Sequence, residues 1–417
     1  MIAYAFFYLT RKNLSMAQPE MLEEGVISTY ALGTIMTVHG VLYGCSRFVN
    51  GFWADRLNGR IFMTVGLALS AAMNFLFGCT SLTALFAAFW IVNGFTQGMG
   101  FPPCTKMLTH WIHPRELATK MSIWNTSHSF GAVMALGLCS LLLGLGLGWR
   151  WCFWVPAVLA ALAAIFCFFC VHDSPTEAGV EELEIGAEAP ISKMKVKGEE
   201  RTITNFDRRR LVFGNKVIWL VSLANFFVYV VRFGFLDWGP TFLKQFKGIS
   251  VAKGGLMIIA FELAAVVGTI FAGWVTDRVF RGRGQRTCVF CMLFAALFSF
   301  GFWYLPNGAP IWQATLLLMG AGFCIYGPQA LIGIVAANQA TKEAAAMANG
   351  FTGIMGYAST TVSGIGIALI KEHFGWGVTL GSIAGFALVG MVLFLFAWNS
   401  SADGYRTVDS RRGGRVE

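Results

Sequence analysis

Charged side chains are scarce along this chain: Asp, Glu, Lys and Arg together make up 13% of its 417 residues. A soluble domain carries about twice that fraction to keep its surface in water. With 56% hydrophobic residues and a mean hydropathy of +0.62, most of the chain must face lipid or other helices. Other signals are missing altogether. Nothing matches G-x-x-x-x-G-K-[ST], so no nucleotide-binding loop is expected. No catalytic triad or metal cluster is visible, so the chain reads as neither an enzyme nor a holder of any cofactor. No basic stretch precedes the first apolar run and no small-residue cleavage site follows it, so no cleavable signal peptide is expected.

The ten cysteines do not reverse that reading. Cys45, Cys79, Cys104, Cys139, Cys152 and Cys324 lie inside apolar stretches. The pairs Cys167/Cys170 and Cys288/Cys291 have the C-x-x-C spacing but no nearby His or second pair to complete a zinc site. They read as reduced thiols packed as small apolar groups. The 48 glycines suit close helix packing in a membrane.

Apolar runs of bilayer-spanning length recur between short polar breaks. Helices are expected near 1–16, 29–53, 61–80, 84–109, 117–145 and 149–171, then near 216–243, 254–275, 286–305, 311–337, 343–369 and 376–398. The first is short, and its start is expected to be truncated. An all-α membrane protein of about twelve helices follows, with an N-terminal bundle (1–171), a polar linker (172–215), a C-terminal bundle (216–398) and a tail (399–417). The linker opens acidic, with Glu177, Glu181 and Glu182, and closes basic, with Arg208, Arg209 and Arg210, as solvated segments do.

The basic residues orient the chain. With the N-terminus inside, 21 of the 31 Lys and Arg fall in cytoplasmic segments, whereas the first external loop carries Glu20, Glu23 and Glu24 and neither Lys nor Arg. Both termini are therefore expected in the cytoplasm. The net charge of +9 is accounted for by this placement, and no nucleic-acid partner is expected.

An internal repeat organises the whole. Gly51-Phe-Trp-Ala-Asp55-Arg56 recurs as Gly273-Trp-Val-Thr-Asp277-Arg278, an offset of 222. Arg11 and Arg232, in the first helix of each half, are offset by 221, and Arg115-Glu116 and Lys342-Glu343 by 227. Agreement of three registers argues for duplication, and two six-helix bundles around a central cavity are expected.

The G-x-x-x-D-R loop in both halves resembles the signature of the major facilitator superfamily. The strings Tyr8-Leu-Thr-Arg11-Lys12-Asn13, Gln97-Gly-Met-Gly-Phe-Pro-Pro-Cys104, Trp124-Asn125-Thr-Ser-His128 and Arg232-Phe-Gly-Phe-Leu-Asp237-Trp-Gly-Pro240 resemble, more narrowly, the organophosphate:phosphate antiporters. With Tyr326-Gly-Pro-Gln-Ala-Leu-Ile-Gly333 the resemblance runs from end to end. It covers glycerol-3-phosphate and hexose-phosphate transporters and a hexose-phosphate sensor. One departure is Arg47, where family members often have Lys.

Arg11 and Arg232 are the first candidates for function, because a charge at mid-membrane costs about 2.5–3.5 kcal/mol on insertion scales. Either each is paired with a carboxylate elsewhere, Glu262 for example, or both point into the cavity and clamp one anion. A guanidinium suits phosphate, being permanently charged and able to donate two parallel hydrogen bonds. The resemblance implies that these arginines bind phosphate and that His128 contributes. Lys12, about 100° around the helix from Arg11, either supports the site or pairs with a carboxylate such as Glu262. The resemblance also puts Tyr4, Tyr8, Asn125, Tyr229 and Tyr357 on the cavity wall, with Arg47 among the lining. Asp55, Arg56, Asp277 and Arg278 are expected to hold a conformational state rather than touch substrate. Gly100-Phe-Pro-Pro103 and Gly327-Pro328 are either gating bends or static kinks.

The resulting expectation is a bacterial inner-membrane transporter, monomeric, that exchanges an organophosphate such as glucose-6-phosphate or glycerol-3-phosphate for inorganic phosphate. A hexose-phosphate receptor and a proton-coupled anion symporter are the alternatives. The Asp237 string resembles glycerol-3-phosphate transporters and the Tyr326 string hexose-phosphate members, so the organic half of the substrate stays open.

Overall fold

The structure, a computed structural model, describes residues 1–54, 56–112, 124, 126–180, 193–196, 199–202, 205–306, 308–340 and 344–400. Helices dominate: α1 (Ile2–Glu23), α2 (Thr29–Ala54), α3 (Gly59–Cys79), α4 (Thr83–Gln97), α5 (Phe101–Trp111), α6 (Ser127–Gly144) and α7 (Trp151–Cys170). After the linker come α8 (Asn205–Phe213), α9 (Lys216–Lys247), α10 (Val251–Arg278), α11 (Gly284–Tyr304), α12 (Ile311–Gln339), α13 (Ala345–Ala358) and α14 (Ile367–Phe396). Among the described residues, eight helices are long and apolar enough to cross a bilayer. The linker holds a short antiparallel pair, Lys193–Val196 with Glu199–Thr202, as well as α8.

Several boundaries differ from expectation for identifiable reasons. The first helix does not stop at residue 16 but runs through Pro19 to Glu23. The expected helix 84–109 is two helices, because the backbone tightens into i→i+3 bonds at Gly98, Met99 and Gly100. Pro102 and Pro103 then sit in the first turn of α5, where a missing N–H costs nothing. Pro328, by contrast, lies inside the uninterrupted α12. The last break does fall where expected, between 369 and 376: Gly375 has a φ of 76° and a ψ of 177° that no helix admits and that glycine adopts without a Cβ penalty.

The chain divides into two compact units. Unit 1 comprises Met1–Gly186, Gly234–Ile259 and Thr360–Trp376; unit 2 comprises Ala187–Phe233, Ala260–Ser359 and Gly377–Glu417. In unit 1, α1 packs along α6 and α3 along α7. Its Thr360–Trp376 segment contains a π-turn, Val362–Gly366, which displaces backbone groups from the regular ladder. Side chains take them up: Ile365 N–H donates to Thr37 Oγ1 at 2.8 Å, and Ser363 C=O accepts from Trp238 Nε1 at 2.7 Å. In unit 2, α11 packs along α12, and α10 meets α12 so closely that a Cβ on Gly268 would lie 1.9 Å from the Phe323 carbonyl oxygen.

Candidate functional site

Tyr4, Tyr8 and Arg11 share one face of α1, as their i, i+4, i+7 spacing requires. The half-buried Arg11 places its guanidinium carbon 3.9 Å from the centre of the Tyr43 ring and 5.5 Å from that of Tyr8. Tyr43, on α2, is 2% exposed, so it is a fixed platform; a partly desolvated guanidinium over such a ring gains about 1–2 kcal/mol. One turn on, Arg47 lies 5.9 Å from the same ring and 4.1 Å over Phe101. Phe101 returns to Tyr4 at 6.2 Å, and Tyr4 meets Tyr8 edge-on at 5.7 Å. These six side chains form a closed circuit of aromatic and cationic contacts. Trp124 seals it from behind, 4.9 Å from Tyr4.

His128, in the first turn of α6, joins the circuit through Tyr8 at a ring separation of 5.8 Å, with Nε2 3.4 Å from Ser129 Oγ. Gly131 makes that approach possible. A Cβ there would lie 2.5 Å from the Ala5 carbonyl oxygen and 2.8 Å from Tyr8 Cβ, so only glycine lets α1 and α6 come this close. Lys12 does not face the circuit: it pairs with Asp237 at 2.5 Å, its side chain 6% exposed. The sequence suggested Glu262 as an example of a carboxylate partner, and the partner found is Asp237.

Unit 2 surrounds its own arginine differently. Arg232 is 7% exposed and lies 4.6 Å over Tyr326, 5.8 Å from Tyr229 and 5.7 Å from Phe233. The Tyr326 hydroxyl donates to Glu262, a carboxylate 1% exposed. Glu262 thus reaches the arginine's surroundings through the tyrosine. Tyr357 meets Tyr229 edge-on at 6.0 Å, an approach kept open by Gly356, where a Cβ would come 3.3 Å from Tyr229.

Sequence reasoning missed Tyr43, Phe101, Trp124 and Tyr326 as members of these clusters. The signal for Tyr43 was present, since it stands four residues before Arg47 on one helix face. Asn125 and Asp55 lie outside the described residues, as do Arg115, Glu116, Lys342 and Glu343 of the repeat.

Residues 1–364 match the Major Facilitator Superfamily. The chain belongs to that superfamily. It is 34% identical over 405 residues to the glycerol-3-phosphate transporter of Bacillus subtilis, covering 96% of this chain and 90% of that protein. It is 32% identical over 414 residues to a probable hexose phosphate transport protein of Chlamydia muridarum, covering 97% and 90%. These relatives place it in the organophosphate:phosphate antiporter family, as a multi-pass protein of the bacterial cell membrane. A bacterial homologue of the human lysosomal transporter Spinster, solved inward-facing and unoccupied, shares the fold with a TM-score of 0.73 at 14% identity, covering 99% of this chain and 95% of that one.

The signature loops of this superfamily member are set apart from both arginine clusters in character. Arg56, Asp277 and Arg278 are exposed. The segment after α7 straps the α2–α3 turn: Asp173 accepts from Gly59 N–H at 2.9 Å and pairs with Lys106 at 3.3 Å, and Glu177 pairs with Arg60 at 2.7 Å. The Asp173 backbone N–H, with Asn58 and Arg60 in support, holds the Glu177 carboxyl below the usual carboxylate range. In the sequence, Asp173 and Glu177 are marked only as part of a solvated linker.

Proposed function

We propose that this protein exchanges a small organophosphate, glycerol-3-phosphate or a hexose phosphate, for inorganic phosphate by alternating access across a twelve-helix, N-in, C-in fold. The observation that carries the reading is the aromatic circuit of unit 1, which presents the half-buried Arg11 guanidinium on a rigid Tyr43 ring. Such a group is permanently charged and matches the geometry of an oxyanion with its fork of N–H donors. Arg232 supplies the second guanidinium, His128 completes the phosphate contacts, and Tyr4, Tyr8, Asn125, Tyr229, Tyr357 and Arg47 line the path. Lys12 contributes positive potential, balanced by Asp237 in this conformation. Asp55, Arg56, Asp277 and Arg278 hold the conformational state at the loops.

Exchange rather than leak follows from electrostatics. Closing protein around guanidinium charge without an anion costs desolvation energy, and a phosphate dianion offsets it. A loaded carrier therefore reorients more readily than an empty one, whichever phosphate it holds. The names of the relatives support the phosphate-bearing substrate, and cavity shape selects the organic half. The test is exchange of labelled phosphate in proteoliposomes, competed by glycerol-3-phosphate, glucose-6-phosphate and phosphoglycerate. Competition by one of them with no uptake into phosphate-free vesicles is the expected result; rapid uptake into vesicles lacking internal phosphate rejects obligate exchange.

A further inference from the structure

Behind α1, on the face turned away from Arg11, unit 1 buries a polar cluster that the transport reading does not use. Thr10, Asn13, Ser70, Asn74 and Asn93 are 0% exposed and Gln97 is 3% exposed. Thr10 sits at its centre. Its carbonyl oxygen accepts from Asn74 Nδ2 and from Asn93 Nδ2, each at 3.0 Å. Its hydroxyl lies 3.0 Å from Ser70 Oγ and accepts from Gln97 Nε2 at 3.0 Å. Ser70 Oγ in turn donates to Asn93 Oδ1 and accepts from Gln97 Nε2 at 2.8 Å. Asn13, one turn along, donates to Asn74 Oδ1 at 2.8 Å and to the Cys152 carbonyl at 2.9 Å. Side chains or backbone of α1, α3, α4 and α7 are thereby tied at the turn of α1 that bears Arg11.

Helical geometry shows what this grip controls. At 100° per residue, Thr10 and Asn13 lie on the side of α1 roughly opposite Tyr8 and Arg11. Apolar packing orients a helix weakly in a membrane, where lipid is as apolar as the neighbouring helices, whereas interhelical hydrogen bonds have direction. Rotating α1 by roughly 20° would carry a guanidinium about 6 Å from the axis through about 2 Å. A shift of that size takes a bidentate contact out of register, and misplacements near 1 Å already cost on the order of 100-fold in positioned chemistry.

We infer that the Thr10-centred cluster is a positioning device for Arg11, fixing the rotation and register of α1 so that the guanidinium meets the phosphate. The inference rests on the reading of Arg11 as a phosphate ligand. It assigns Thr10, Ser70, Asn74, Asn93 and Gln97 to substrate affinity although none faces the substrate. Asn13 Oδ1 is buried without a hydrogen-bond partner, but the groups bonded to Thr10 and Ser70 share their bonds, so loss of one hydroxyl loosens several bonds at once.

The test uses the full-length chain in proteoliposomes, with inorganic phosphate as the probe and both KM and Vmax measured per folded carrier. Thr10→Val keeps the side-chain shape and removes the hydroxyl; KM for phosphate should rise about tenfold with Vmax within about twofold. Thr10→Ser should restore the native KM, and Ser70→Ala should shift KM in the same direction as Thr10→Val, which keeps the test open if one variant fails to accumulate. A native KM in both Thr10→Val and Ser70→Ala, or a fall in melting temperature with KM unchanged, overturns the inference and leaves the cluster a packing feature. Arg11→Gln separates the two claims. If it retains the native KM, the assignment of Arg11 itself fails; if it abolishes exchange while Thr10→Val is silent, only the positioning role fails.

Discussion

Arg11 and Arg232 are equivalent by the repeat and unlike in their surroundings. Arg11 is half-buried over a tyrosine that supports two guanidinium groups, Arg47 sharing the ring. Arg232 is 7% exposed, over a tyrosine whose hydroxyl is committed to the buried Glu262. The first neighbourhood is cationic and aromatic; the second carries its own carboxylate one side chain away. The repeated sequence register therefore keeps the charge and not its electrostatic setting, and the two arginines should respond differently when their platforms are altered.

The largest expected effect comes from removing either charge. Arg11→Gln and Arg232→Gln should each lower phosphate exchange on the order of 100-fold, about 3 kcal/mol, as removal of a charge-assisted bidentate pair requires. Initial rates of labelled phosphate exchange read this directly, and a variant with native rates breaks the equivalence in function. Next in size is Gly131→Leu, which forces α6 off α1 against the Ala5 carbonyl and pushes the His128 and Tyr8 rings apart. It should cost about 1–3 kcal/mol of stability, visible as a lower melting temperature in detergent. The platforms themselves sharpen the contrast. Tyr43→Leu removes the face under Arg11 and should raise KM for phosphate about tenfold, the equivalent of about 1.4 kcal/mol. Tyr326→Phe keeps the face under Arg232 but takes a hydroxyl from Glu262. It should move melting temperature more than KM, at about 1–3 kcal/mol. If both changes act alike on KM and stability, the distinction between the two neighbourhoods is wrong.

The smallest effect lies at the loop strap. Glu177 is held below its ordinary pKa by the Asp173 N–H and by Asn58 and Arg60, so its contribution is present above the usual carboxylate range. That contribution disappears as pH falls through the depressed value. Glu177→Gln should flatten the acid side of a melting-temperature profile slightly and leave exchange at neutral pH unchanged.

Much of the candidate site was legible because charge in an apolar chain is conspicuous. Arg11, Arg232, Arg47 and His128 stand out against their neighbours, and the spacing of Tyr4, Tyr8 and Arg11 places them on one face without further information. The partner of Lys12 was not legible, since Asp237 is 225 residues away and nothing local selects it over Glu262. The π-turn at Val362–Gly366 was missed, and at Gly98–Gly100 the Gly100–Pro103 string announced a bend but not a break between two helices, for a related reason: hydropathy continues across both, and only hydrogen-bond geometry marks them.

Composition and the recurrence of long apolar runs were enough to determine a membrane-embedded helical chain, and the sequence itself carries the repeated motif with an arginine ahead of each copy. Each of these is a property of short segments, and lipid enforces it segment by segment because no backbone polar group can be left unsatisfied there. Tertiary structure alone decided what each arginine rests on, which carboxylate Lys12 meets, and that Ser70, Asn74, Asn93 and Gln97 from two other helices converge on Thr10. Those outcomes depend on the rotation of one helix against another. In a membrane, that rotation is set by glycine-sized gaps and directional hydrogen bonds between distant residues, which no single stretch of sequence contains.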